Sequence, residues 1–231
     1  MRIALLSLLL LSASVVASPE RVLFVGNSFT YYNNSLHNHY KELVKASLPD
    51  NRNRVRSMTI SGGKLFEHAG LEAMVNSEQW DIVVLQGHSL GPIEGAERFR
   101  DAARKHSKAI RLAGAEPMLY MTWAYTDRPE MTVQLDNAYT SLGADLGVEV
   151  APAGLAFERV TQERPELALR TDDKRHPTLA GTYLTACVFY AVLQDRTPED
   201  IDYDAGLDIE VAAYLQEVAW EVVQAYASRD E

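Results

Sequence analysis

Short apolar runs, each ending in glycine or a polar cluster, recur along this chain and alternate with stretches of helical spacing. Arg21–Val25 runs into Gly26 and Asp81–Leu85 into Gln86-Gly87-His88-Ser89, while Arg54–Ile60, read as a strand from its alternation, ends in Ser61-Gly62-Gly63. Pro117–Thr122 and Val148–Ala151 follow in the same style. Between them, residues 35–48, 65–76, 94–113 and 130–146 carry apolar positions three and four apart, and further helices are expected at 177–194 and 209–228. Strands separated by helical segments call for crossover connections, hence a mainly parallel sheet with helices on both faces. In such sheets ligands bind beyond the carboxyl ends of the strands. The positions just after Val25, Ile60, Leu85, Thr122 and Ala151 are therefore the ones to search for chemistry.

The chain of 231 residues is 47% hydrophobic, enough for one domain with a substantial core. It shows no internal repeat, low-complexity segment or domain linker. Residues 1–17 read as a secretory signal peptide: a basic start at Arg2, an apolar run Ile3–Leu11 broken by Ser7, and a small residue, Ala17, before the expected cut. That run is shorter than the ~20 residues needed to span a bilayer. The expected product is a single domain, residues 18–231, exported to a periplasm or to the outside of the cell. Losing Arg2 and no acid would move the formal charge from −10 to −11. So negative a field disfavours nucleic acid and anionic membranes as partners and, more mildly, strongly anionic polymers as substrates, an effect that a local basic patch would reverse. Cys187, the one cysteine, lies in an apolar stretch and reads as a buried small hydrophobe.

Four strand-end or loop clusters carry the candidate chemistry. After the first strand, Gly26-Asn27-Ser28 puts a hydroxyl where strand gives way to turn and helix, and the next amides can face a developing oxyanion. Taken alone, the same residues also suit a turn and a helix cap. Gly62 and Gly63 suit a backbone that approaches a ligand, or a simple turn. Gln86 and His88 can both donate hydrogen bonds. In Asp173-Lys174-Arg175-His176, one loop supplies an imidazole and a carboxylate able to fix its tautomer and stabilise its protonated form.

Taken together and in this order, these pieces resemble the SGNH (GDSL-like) hydrolase superfamily. Its first block matches Gly26-Asn27-Ser28, its second-block glycine matches Gly62, and its Asp-x-x-His signature matches Asp173 to His176. The wider phrases VLFVGNSFT, WDIVVLQGHS and HPTLAGTYLTA are similar to a bacterial branch of that superfamily. The resemblance implies a flavodoxin-like three-layer α/β/α sandwich with a five-stranded parallel sheet in the order 2-1-3-4-5. It also implies hydrolysis of oxygen esters, often acyl groups on carbohydrates, with no cofactor. Ser28 would be the nucleophile and His176 the base. Asp173 would orient His176, a task that a backbone carbonyl can share. The backbone amides of Ser28 and Gly62 would bind the oxyanion. The third block departs from the family: Gly-x-Asn-Asp is replaced by Gln86-Gly87-His88-Ser89. His88 falls on the position of the oxyanion Asn, and either His88 or Gln86 is a candidate substitute donor.

Asn27, Tyr31 and Trp123 are expected to contact substrate; Tyr31, Tyr32, Trp123 and Tyr125, which follow the first and fourth strands, suit plates in a sugar-stacking cleft or, equally, core or surface aromatics. His37 and His39, two apart in a helical stretch, point in different directions, and no metal is expected. The altered third block also motivates a second reading, a secreted glycan-binding protein that keeps the fold without efficient turnover. The acyl group, the alcohol and the oligomeric state have no signature in the sequence.

Overall fold

The computed structural model describes residues 18–230; the expected signal peptide, residues 1–17, lies outside them. Five strands, β1 (Arg21–Gly26), β2 (Arg54–Thr59), β3 (Ile82–Gln86), β4 (Glu116–Tyr120) and β5 (Glu149–Ala151), form one sheet in the order β2-β1-β3-β4-β5, every neighbouring pair parallel. Val22 pairs with Val55 on one side and with Ile82 on the other, which fixes the register at the centre of the sheet. The helices are α1 (Ser28–Tyr31), α2 (Leu36–Ser47), α3 (Leu71–Ser77), α4 (Gly91–Glu94), α5 (Ala96–Leu112), α6 (Met131–Leu146), α7 (Ala153–Glu163), α8 (Leu179–Gln194) and α9 (Ile209–Ala227). α2, α8 and α9 pack together on one face, while α3, α5 and α6 cover the other. This is the three-layer α/β fold expected from the alternating pattern.

Val22 to Val25 are at most 1% exposed, as expected of a central strand covered on both faces. α8 is apolar around nearly its whole circumference and is buried to match. Its Phe189 meets Phe24 of β1 and Tyr120 of β4 edge-on, each at 5.0 Å between ring centres. The helix is thereby locked across the middle of the sheet.

The sequence reading passed over α7. Pro152 and Gly154 look like breakers, yet Pro152 sits at the N-cap, where a missing N–H is harmless. Gly154 is demanded by packing: a Cβ there would lie 2.2 Å from the carbonyl oxygen of Thr122. α8 also starts later than expected, at Leu179, where the Thr178 hydroxyl caps the Gly181 amide at 3.2 Å.

Candidate active site

The β1 terminus is built around a buried amide. Gly26 has no alternative residue here, because a Cβ would lie 2.2 Å from Gln86 Oε1 and 2.5 Å from Thr30 Oγ1. Gln86 Oε1 accepts from the Asn27 amide at 3.0 Å and from the Thr30 hydroxyl at 2.7 Å. Gln86 Nε2 donates to Asn27 Oδ1 at 2.7 Å and to the Gly87 carbonyl at 3.1 Å. Asn27 in turn caps α1 through the Phe29 amide and donates its Nδ2 to the Gly63 carbonyl at 3.0 Å. One side chain thus ties the ends of β1 and β3 together, and the next ties β1 to the loop after β2.

These bonds correct two expectations. Gln86 is 1% exposed and both ends of its amide are already engaged, so it is not free to donate to an oxyanion. Asn27 is 3% exposed with its side chain spent on backbone and on Gln86, so it supports the site without lining it. Trp123 is a third correction. It is fully buried, stacked between Phe29 at 4.6 Å and Phe157 at 4.0 Å, and its indole N–H donates to the Arg175 carbonyl at 2.9 Å. It is a pillar under the site and has no face left for a sugar. Tyr31 does lie at the rim, 37% exposed, with its hydroxyl 3.1 Å from Ser61 Oγ.

The loop carrying Asp173 and His176 is held by its main chain. Residues 170 and 177 form an isolated antiparallel bridge, and the Thr171 amide donates to the His176 carbonyl at 2.8 Å. The segment after β4 fastens one side through Trp123 Nε1 to Arg175 O and the Thr126 amide to Lys174 O. Asn33, just after α1, fastens the other by donating Nδ2 to Pro177 O at 2.9 Å and to Thr182 Oγ1 at 2.8 Å. Its left-handed backbone, φ 51°, suits Asn.

This fastening brings Ser28, His176 and Asp173 into one line, across 148 positions of sequence. His176 Nε2 lies 2.8 Å from Ser28 Oγ, and its Nδ1 bonds Asp173 Oδ2. Asp173 Oδ1 accepts from the Thr171 hydroxyl at 2.8 Å and from the Arg175 and His176 amides at 2.9 Å each. Burial alone would raise the Asp173 carboxyl, but the hydrogen bonds from His176 and the two amides outweigh it and hold the group well below the usual carboxylate range. Tyr32 stacks on the imidazole at 4.3 Å, 8° from parallel, and Phe29 meets it edge-on at 5.6 Å. The ring is therefore held by two aromatics as well as by its polar partners. Tyr32, one of the aromatics expected at a sugar-stacking cleft, instead gives a ring face to the imidazole.

Among the described residues, no hydrogen bond engages the amides of Ser28 or Gly62. Gly62 is exposed and has φ 63°, a left-handed conformation natural to glycine. His88 is half-buried, and its Nδ1 accepts from the Leu90 amide at 3.3 Å, so the neutral ring carries its hydrogen on Nε2. Burial first, then the Lys64 charge, push the His88 pKa down and favour that neutral form.

His39, the other histidine weighed as a ligand, bonds the Tyr203 hydroxyl at 2.8 Å and the Asn33 carbonyl at 2.6 Å. His37 Nδ1 lies 2.7 Å from Ser35 Oγ. Among the described residues no three His, Cys, Asp or Glu side chains converge as a metal site would require, and no helix is long and apolar enough to cross a membrane.

No family model and no curated protein sequence matches the chain. Solved structures do. A candidate SGNH hydrolase from Slackia heliotrinireducens is 27% identical and superposes with a TM-score of 0.64, over 74% of this chain and 96% of the other. A DUF4886 family protein from Bacteroides uniformis reaches a TM-score of 0.70 at 19% identity, over 88% of this chain and 94% of that one. An acetyl xylan esterase superposes with a TM-score of 0.64 at 17% identity, over 74% and 98%. The last two likenesses speak to the fold.

Proposed function

The chain belongs to the SGNH hydrolase superfamily, and from that premise we propose that it is an exported serine esterase that removes acyl groups from a small-molecule or glycan ester through an acyl-enzyme on Ser28. The observation that carries the reading is the continuous relay from Asp173 Oδ2 through His176 to Ser28 Oγ, closed at 2.8 Å. Export is supported by the pattern of residues 1–17.

In this mechanism Ser28 Oγ attacks the ester carbonyl while His176 Nε2 takes its proton. Asp173, ionised and bonded to Nδ1, keeps the correct ring nitrogen free and stabilises the imidazolium. Negative charge on the former carbonyl oxygen is met by the uncommitted amides of Ser28 and Gly62 and by the Nε2–H of His88. His176 then protonates the leaving alkoxide. A water molecule, deprotonated by the same imidazole, opens the acyl-enzyme and releases the acid. The acetyl xylan esterase likeness makes short acyl groups on sugars the first substrates to try.

The test is a fluorophosphonate probe on the purified protein, with the labelled residue mapped, beside hydrolysis of p-nitrophenyl acetate. Ser28 is expected to be labelled. Ser28→Ala and His176→Ala should each remove nearly all turnover, and the double variant should be little worse than either, because nucleophile and base act as one unit. Near-native hydrolysis by Ser28→Ala would sink the proposal. Inertness of the wild type toward esters, combined with glycan affinity, would favour a binding protein instead.

A further inference from the structure

Next to the proposed oxyanion groups lies a cavity of about 360 Å³, bounded by the segment after β2 and the segment after β3. Lys64, Leu65, Phe66, His88, Glu94 and Arg98 line it. Lys64 is two residues beyond Gly62, and His88 is two beyond the end of β3, so the cavity opens on the same sheet edge as Ser28. Its volume suits one sugar ring or a short acyl chain.

The charges in this cavity run against those of the chain as a whole. The protein carries 32 acidic against 22 basic side chains, and most of its arginines sit in ion pairs, Arg21, Arg100, Arg128 and Arg159 among them. Arg98 and Lys64 do not: among the described residues no carboxylate lies in salt-bridge range of either. Instead the Arg98 guanidinium lies 3.9 Å from the centre of the Phe66 ring, and Lys64 Nζ lies 5.8 Å from it. Both cations are exposed on an aromatic support, with their polar atoms left for a ligand.

The nearby carboxylates are already occupied. Glu94 accepts from Arg128 Nη1 at 3.1 Å, and Glu67 Oε2 accepts from the Lys64 backbone amide at 2.7 Å. Arg175 adds a further positive charge from the catalytic loop. Its guanidinium lies 4.9 Å from the Tyr125 ring centre, and no carboxylate pairs with it among the described residues. Among the lining side chains themselves, Lys64 and Arg98 outnumber the one carboxylate, Glu94, which Arg128 already holds.

We propose that this cavity is a subsite for an anionic group, so that the preferred substrate is an ester bearing a carboxylate, held by Lys64 and Arg98 while its acyl carbon faces Ser28. The proposal rests on the esterase reading above. The carboxylate has two chemical sources: the alcohol, as in an O-acetylated uronic acid residue, or the acyl group, as in a half ester of a dicarboxylic acid. In either case the ester bond broken and the proton transfers are those already described, and the anion is a spectator.

The test compares matched substrate pairs. One pair is acetylated methyl glucuronoside against acetylated methyl glucoside; the other is mono-p-nitrophenyl succinate against p-nitrophenyl acetate. In one pair the charged member should have a kcat/KM at least about tenfold higher, and the preference should shrink in 0.5 M salt, as a screened ionic contact must. At pH 8, where burial alone keeps His88 neutral, Lys64→Met combined with Arg98→Met should abolish that preference through KM, leaving p-nitrophenyl acetate hydrolysis within about twofold. Both side chains are exposed, so the variant should keep the wild-type melting temperature. Which pair responds identifies the source. If neutral esters are hydrolysed but neither pair shows a charge preference, or if the double variant slows charged and neutral substrates alike, the subsite is refuted while the esterase stands. If no ester at all is hydrolysed, the esterase reading fails, and calorimetric titration of the wild type with methyl glucuronoside and with succinate decides the subsite. Binding of either one that the double variant loses would keep an anion site; no binding of either would overturn it.

Discussion

Replacing Gln86 with leucine tests the idea that a buried amide, working only through its neighbours, sets the position of the nucleophile. Leucine has nearly the same bulk, so the change removes polarity with little change in volume. Two donors lose their acceptor, the Asn27 amide and the Thr30 hydroxyl. Both residues are at most 3% exposed, so water is a poor replacement. A buried polar group left without a partner costs about 1–3 kcal/mol. The amide is fixed and bears that cost in full, whereas the hydroxyl can rotate toward another acceptor. The expected loss is about 2–4 kcal/mol, a large share of the 5–15 kcal/mol that typically holds a domain together. Asn27 Oδ1 also loses one of its two donors, keeping the Phe29 amide, and Ser28 follows Asn27 directly. A shift of about 1 Å at the nucleophile would lower kcat on the order of 100-fold. Urea denaturation followed by circular dichroism, with kcat for p-nitrophenyl acetate on the same samples, checks both halves. A variant within 1 kcal/mol of wild type and within threefold in kcat would refute the reasoning. Unchanged stability with a 100-fold or larger loss in kcat would return Gln86 to the role of direct oxyanion donor.

Three further outcomes follow from the geometry. His88→Ala should lose about 2–4 kcal/mol of transition-state stabilisation, mostly in kcat, while His88→Asn keeps substantial activity; steady-state kinetics showing alanine near wild type would remove His88 from the oxyanion site. Asp173→Asn should lower kcat on the order of 100- to 10,000-fold, since the imidazole loses the partner that sets its tautomer. Because the folded Asp173 carboxyl lies below its unfolded value near 3.9, its contribution to stability is present above that pH and is lost as pH falls toward the folded value, so melting temperature should fall less steeply below pH 5 in Asp173→Asn than in the wild type. Trp123→Ala should cost about 3–5 kcal/mol in urea denaturation, as expected for a buried pillar; a raised KM with unchanged stability would instead mark a ligand plate.

The strands were legible because short runs such as Arg21–Val25 and Asp81–Leu85 give way to glycine or polar clusters between helical stretches, and the site residues were legible because the sheet collects strand ends along one edge. What the sequence did not disclose was which way polar residues at those ends turn. Gln86 and His88 are two apart, equally polar and equally placed, yet one is sealed beneath the Ser28 turn and the other lines an open cavity. The difference lies in contacts with Asn27 and Thr30, some 56–59 positions away, and no local pattern reports those. Trp123 was misread for a similar reason: an aromatic after a strand looks the same whether a ligand or Phe29 and Phe157 occupy its faces. α7 was passed over because Pro152 and Gly154 act as breakers in a helix interior but not at its first turn.

The loop bearing the base is fastened to the neighbouring segments chiefly through carbonyl oxygens, those of Lys174, Arg175 and Pro177, with the Lys174–Asp127 ion pair an exposed addition. Any residue supplies a carbonyl. The side chain at 175 can therefore change without unseating His176, whereas position 174, at φ 69°, is limited to residues that tolerate the left-handed region. Substrate preference along this rim becomes a trait that can be rewritten one substitution at a time, while the reaction centre beneath is inherited intact.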